Sequence, residues 1–256
     1  AELAVEGGVL IITNSSGNFT FGANGNNAGA GFTNIGGTVW FSQPFQSRGR
    51  FSRFAMHGGS LTLLGGGGVF ETSNDQERQF LVNGGNASLG DFSISRTLNG
   101  VSQAGLVLSN GVVNVTSLRV GVANAAAGTT IAGGVLTNTG AFTICDRTNG
   151  ATSGNRRVHF YVRGGSVYST DAAGIIIANQ GNSGSAAASV IGGNLDINSG
   201  LLVAEGITLV KDSTLTNAHA TLTVAGTGEV YLGSVGLIGN VGVSGGGANI
   251  FRGHDN

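Results

Sequence analysis

The chain has 256 residues, 48 of them Gly and one Pro, with 10% charged residues and a net charge of −1. Gly is far above the roughly 7% of ordinary proteins, and charge is far below the usual 25% or so. That excludes coiled coils and helical bundles, which need Ala, Leu, Glu and Lys at a helical period, and collagen, which needs Gly at every third position with abundant Pro. A 40% apolar content argues against charge-driven disorder, and so small a net charge steers the chain neither to nucleic acid nor to an anionic membrane.

In chain order, the first segments are Leu3-Ala4-Val5 and Val9–Ile12, apolar and strand-forming. Neither a basic n-region nor an apolar h-region precedes them, so a secreted chain whose leader is already removed is expected. From Gly7 a Gly-Gly pair followed by alternating apolar residues recurs. It stands at Gly7-Gly8-Val9-Leu10, Gly36-Gly37-Thr38-Val39, Gly58-Gly59-Ser60-Leu61 and Gly84-Gly85-Asn86-Ala87, then at Gly133-Gly134-Val135-Leu136, Gly164-Gly165-Ser166-Val167 and Gly192-Gly193-Asn194-Leu195, with Asn110-Gly111-Val112-Val113 as a degenerate copy. Successive spacings are 29, 22, 26, 26, 23, 31 and 28. After the pair comes a short strand closed by a small residue: Phe19-Thr20-Phe21-Gly22, Leu118-Arg119-Val120-Gly121, Phe142-Thr143-Ile144-Cys145, Ile175-Ile176-Ile177-Ala178 and Leu201-Leu202-Val203-Ala204. Cys145 reads as a buried filler in that small-residue position.

Apolar residues two apart share one face of a strand, and Gly or Asn tolerates the positive φ of a sharp corner. Three short strands in a period near 26 describe one turn of a solenoid. The expected fold is therefore all-β, a right-handed parallel β-helix of about ten coils, one domain over 1–256 with regular repeats at 7–204 and tighter terminal coils at 205–251. At an inter-strand spacing of about 4.8 Å the rod would be roughly 45–50 Å long. A β-sandwich or antiparallel barrel is the alternative. The expected excursions are Gly22–Asn34, Asp75–Phe80, Arg96–Gln103, Asp146–Arg157 and Asn179–Ala187. Leu195 and Ile197 should point inward, Asn194 and Asp196 outward.

The pattern Gly-Gly-x-Leu-x-Ile, then apolar-x-apolar-Gly and a polar loop, resembles the Gly-rich β-strand repeats of autotransporter-associated passenger proteins and of large bacterial surface proteins. The resemblance spans most of 7–204. It implies a secreted or surface-exposed parallel β-helix with an adhesive or structural role. No membrane β-barrel segment or apolar sorting tail accompanies the repeats in this sequence, which departs from those families.

No catalytic or cofactor site emerges. Polygalacturonase-type motifs are missing; Asn138-Thr139-Gly140 comes nearest and lacks the carboxylate. His57, His159, His219 and His254 lack metal-ligand spacing. Asp171 and Asp196 stand about one period apart but read as solvated corner residues. The expectation is thus no enzyme, no cofactor, no metal, no nucleic acid and no membrane span, none of the apolar runs reaching the roughly 20 residues a span needs.

The expected role is an extracellular structural protein, a homopolymer joined head to tail through Leu3, Val5, Val9, Leu10, Ile11 and Ile12 at one end and Ile250 and Phe251 at the other. The alternative is an adhesin or polysaccharide-binding module, with a polysaccharide lyase or hydrolase behind it. Lateral or glycan contact is expected at Trp40, Phe45, Arg48, Arg50 and Arg53, and at Arg156 and Arg157, where aromatic and Arg residues concentrate. Within that stretch, Phe41, Phe45, Phe51 and Phe54 also fit an internal stack with the Arg pointing out.

Overall fold

The computed structural model describes residues 2–13, 17–21, 30–47, 53–64, 68–70, 77–97, 103–123, 126–146, 156–179, 191–211, 218–241 and 248–252. Among them every regular element is a strand and every pairing is parallel. β1 (Glu2–Val5), β2 (Val9–Ile12) and β3 (Phe19–Phe21) form one coil. β4 (Gly31–Asn34), β5 (Thr38–Phe41) and β6 (Phe45–Ser47) form the next, followed by β7 (Arg53–Met56), β8 (Ser60–Leu63) and β9 (Gly68–Phe70). β10 (Glu77–Ser88) bends across two faces and β11 (Asp91–Thr97) supplies the third; β12 (Gln103–Val115) and β13 (Ser117–Ala123) repeat this. β14 (Ala126–Ile131), β15 (Val135–Asn138) and β16 (Phe142–Asp146) make a further coil, as do β17 (Arg156–Val162), β18 (Ser166–Ser169) and β19 (Ile175–Asn179). β20 (Ile191–Lys211) and β21 (Ala218–Val241) each run around all three faces, and β22 (Ala248–Arg252) begins another turn.

The described strands form a β-solenoid, all-parallel, with no sandwich pairing among them. Each strand lies against its counterpart one coil away, so chemically equivalent side chains line up along the axis. On the first face the inward row runs Leu3, Phe32, Phe54, Phe80, Leu106, then Thr129, Phe160, Leu195 and Leu222. From Phe32 to Leu222 this row is buried. Phe32, Phe54 and Phe80 stack, with centroids 4.4 and 4.5 Å apart, and such ring pairs add to their area burial. Leu195 and Ile197 are fully buried while Asn194 and Asp196 face outward, half-buried, as the period of two requires. Phe41, Phe45 and Phe54 are internal; Phe51 lies outside the described residues.

The corner between first and second faces is a column of glycines. Gly8, Gly37, Gly59, Gly85, Gly111, Gly134, Gly165, Gly200 and Gly228 each precede the second-face strand of their coil. Across this corner Thr38 N donates to Gly8 O, Ser60 N to Gly37 O, Asn86 N to Gly59 O and Ser166 N to Gly134 O, at 2.8–3.0 Å. Buried Asn34 braces it: its side-chain amide donates to Gly37 O and Ser60 O and accepts from Gly37 N.

The column corrects the phase of the repeat late in the chain. Gly192-Gly193 is not a corner: it pairs with Arg157 and Val158 on the first face, and the corner there is Ser199-Gly200. Leu201–Ala204 is accordingly a second-face strand against β18, and the third-face strand is Ile207–Lys211 against β19. Nor do the terminal coils tighten. β21 follows β20 around the same three faces, with Ile191 opposite Ala218, Leu201 opposite Glu229 and Ile207 opposite Leu237. All five expected excursions were drawn too wide, since Gly31–Asn34, 77–80, 96–97 with Gln103, Asp146 with 156–157, and Asn179 are strand; the stretches 22–29, 71–76, 98–102, 147–155 and 180–190 lie outside the described residues.

Candidate functional site

Two kinds of surface carry chemistry: the edge of the first coil and the outward sides of the strands. Among the described residues β1, β2 and β3 pair on one side only, with β4, β5 and β6. Leu3 points inward by register, yet it is 37% exposed, whereas Phe32 one coil on is fully buried. Leu10 and Ile12 are likewise half-buried where their counterparts Val39 and Phe41 are sealed. Val5 is the exception, an expected edge residue that is buried in the core. Val9 and Ile11 are exposed on the outward side of β2. At the other end Ile250 and Phe251 align with Thr221 and Leu222; their side chains lie outside the described set.

The described members of the expected aromatic and Arg stretch do not share one face. Trp40 is 41% exposed on the second face, Arg53 is exposed on the first face, and Phe45 is 1% exposed inside the core. Phe45 is therefore not a surface contact: it begins its strand in the inward register, between Phe41 and Phe54. Arg48 and Arg50 lie outside the described residues. Arg156 and Arg157 enter the first face several coils from Arg53, against Ile191 and Gly192, and their side chains are outside the described set. Asp171 and Asp196 do not stack: Asp196 opposes Tyr161 on the first face, while Asp171 lies in the turn before β19.

Two further groupings form on the outward sides of the strands, the first of them within the second aromatic and Arg stretch. On the outward side of β17, the His159 and Tyr161 rings lie nearly parallel with centroids 5.4 Å apart, and the Arg163 guanidinium sits 4.4 Å above the Tyr161 ring. Asn194 Nδ2 lies 3.1 Å from His159 Nδ1. Partial burial, then the nearby Asp196 carboxylate, push the Tyr161 hydroxyl above its ordinary pKa, with Arg163 opposing. On the third face Arg119 Nε lies 3.8 Å from a carboxylate oxygen of the buried Asp146.

The second grouping is a row on the second face. Ile11, Trp40, Thr62, Ser88, Asn114, Thr137, Tyr168, Val203 and Tyr231 occupy one outward register position in successive coils. The signal was in the sequence: Trp40, Tyr168 and Tyr231 each stand three residues after a corner glycine, Gly37, Gly165 and Gly228. Tyr231 donates a hydrogen bond to Glu229 Oε2 at 3.1 Å, and its hydroxyl pKa is raised chiefly by that bond.

Among the described residues no group of three or more His, Cys, Asp or Glu could hold a metal ion, and no helix is long and apolar enough to cross a membrane. No family model matches the chain, and neither a curated protein nor a solved structure matches it.

Proposed function

We propose that the chain is an extracellular structural protein, a β-solenoid unit of a filament, sheath or surface layer that extends end to end by strand addition. The observation that supports this reading is the first described coil, where inward-pointing Leu3 is 37% exposed while its counterpart Phe32 one coil on is fully buried. The hydrogen bonds Ile35 N to Val5 O, Thr38 N to Gly8 O and Ser42 N to Ile12 O fix the direction of the backbone groups. Residues alternating with these, Ala4 and Val9 among them, aim their N–H and C=O away from β4 and β5, where they would template another strand.

The occupant is the far end of a second copy. There the first face carries one strand more than the other two, so the described strands end in a staircase. A second copy turned by one face about the axis sets β1 on 229–232, β2 on 236–241 and β3 on β22 without a gap. Such a head-to-tail contact does not close on itself and grows as a fibre. The Gly-rich composition and the resemblance to secreted surface repeats support an extracellular setting.

Negative-stain microscopy tests the reading. The chain should form rods one solenoid wide. Leu3→Lys with Val9→Pro, which puts a charge on the open core and removes one edge N–H, should give monomers of unchanged melting temperature. Dispersed monomers of the parent chain at high concentration would overturn it.

A further inference from the structure

We infer that the outward side of the second face is a binding rail for an uncharged, extended β-linked polysaccharide lying along the solenoid axis. This goes beyond the end-to-end reading and does not depend on it. The rail consists of the row containing Trp40, Tyr168 and Tyr231 and the neighbouring row two residues upstream, Val9, Thr38, Ser60, Asn86, Val112, Val135, Ser166, Leu201 and Glu229. Of these eighteen positions only Glu229 is charged. A face so neutral offers no counter-charge to a nucleic acid or a polyuronate, and it suits a polymer without charge.

Its chemistry combines aromatic rings with polar groups, the two kinds of contact a sugar chain offers. Trp40, Tyr168 and Tyr231 are 41%, 36% and 58% exposed. They offer rings on which the C–H faces of a pyranose stack. Trp40 and Tyr168 stand five coils apart and Tyr168 and Tyr231 two, about 24 Å and about 10 Å along the axis at the usual strand spacing. Between the first two lie Thr62, Ser88, Asn114 and Thr137, a ladder of hydroxyls and one amide facing the sugar hydroxyls. One coil advances by nearly the rise of one hexose in an extended β-linked chain, so successive sugars meet equivalent groups.

The competing occupant is the flank of a second copy. A dry sheet-to-sheet contact would bury this polar ladder. Ser60 Oγ donates to Thr38 Oγ1 at 3.2 Å and Asn114 Nδ2 to Asn86 Oδ1 at 3.1 Å, which uses only one of the several donor and acceptor sites each amide has. Burying the remainder without partners is costly, whereas a hydrated ligand made of hydroxyls satisfies them.

Affinity electrophoresis of the full chain, in gels containing hydroxyethylcellulose, galactomannan or polygalacturonate, tests the inference. A Leu3→Lys/Ala4→Pro background, in which the removed edge N–H lies on the first face and off the rail, is run in parallel, so that failure to polymerise and failure to bind are read separately. At least one neutral polymer should retard the chain and polygalacturonate should not. Tyr168→Ala with Tyr231→Ala should weaken retardation about tenfold, as loss of two stacking rings implies, at unchanged melting temperature; Trp40→Ala should weaken it and Trp40→Phe largely restore it. Retardation by polygalacturonate alone, binding unaffected by the aromatic substitutions, or no retardation in any gel would overturn the rail. So would side-by-side association of parent chains that the aromatic substitutions abolish while no polymer binds, which would assign the face to a second copy.

Discussion

Left-handed backbone recurs at two positions of the coil, the corner at Gly59, Gly85, Gly111 and Gly134 and the end of the third face, and only the first demands glycine. At the corner between first and second faces, Gly111 has φ +92°, and a Cβ there would lie 2.6 Å from Gly85 O and 2.9 Å from Gly84 C. Its neighbours are the backbone of the coil before, which cannot retreat without breaking the ladder. Near the end of the third-face strands, Gly121, Cys145 and Ala178 hold φ of +70°, +64° and +59° at equivalent positions. There the chain bulges so that consecutive residues point inward: Ile144 and Cys145 are both buried, as are Ile177 and Ala178. Around Gly121 the nearest atoms belong to the Val158 side chain, which can shift. Positive φ alone costs about 1–2 kcal/mol for an L-residue. The neighbour decides whether that cost is tolerable: backbone makes glycine obligatory, and a side chain admits any small residue.

The contrast orders four substitutions by expected effect. Gly111→Ala adds a backbone clash to the positive-φ cost and should destabilise by roughly 3 kcal/mol or more; a denaturant melt within experimental error of the parent would remove the distinction between the columns. Gly121→Ala should cost about 1–2 kcal/mol. Its clash is with one side chain, so Gly121→Ala/Val158→Ala should be less destabilised than the two single effects added together; strict additivity would show that Val158 is not the obstacle. Thr129→Val examines the same logic inside the core. Thr129 Oγ1 is buried without a hydrogen-bond partner in the row between Leu106 and Phe160, and replacing it with an apolar group of similar shape should stabilise by about 1 kcal/mol; a lower midpoint in urea would refute this. Cys145→Ala, which reproduces the residue at 178, should change stability by less than about 1 kcal/mol, and a larger loss in thermal melts would mean the sulfur packs as more than a filler.

Much of this was legible in the chain, because the rules involved are local. Alternation with a period of two needs only neighbouring residues, so the inward setting of Leu195 and Ile197 and the outward setting of Asn194 and Asp196 followed directly. The small residues ending the third-face strands were visible as Gly121, Cys145 and Ala178, although the reason for their size was not. Of the proposed surfaces, Trp40 and Arg53 are exposed as expected of contact residues, but Phe45 could not be told from a surface aromatic by composition, since it stands in the same aromatic and Arg stretch.

What the sequence determined by itself was the class: parallel strands turning at Gly corners, with apolar residues on one side. What only the tertiary structure decided was phase and company. Gly192-Gly193 looks like a corner and lies flat on the first face, while Ser199-Gly200 turns the chain. Connections of unequal length hide the phase, and hydrogen bonding to the preceding coil sets it. The same bonding brings Trp40, Tyr168 and Tyr231, 128 and 63 residues apart in succession, onto one outward row. Stacking along the axis makes neighbours of residues one period apart, and that period varies from coil to coil.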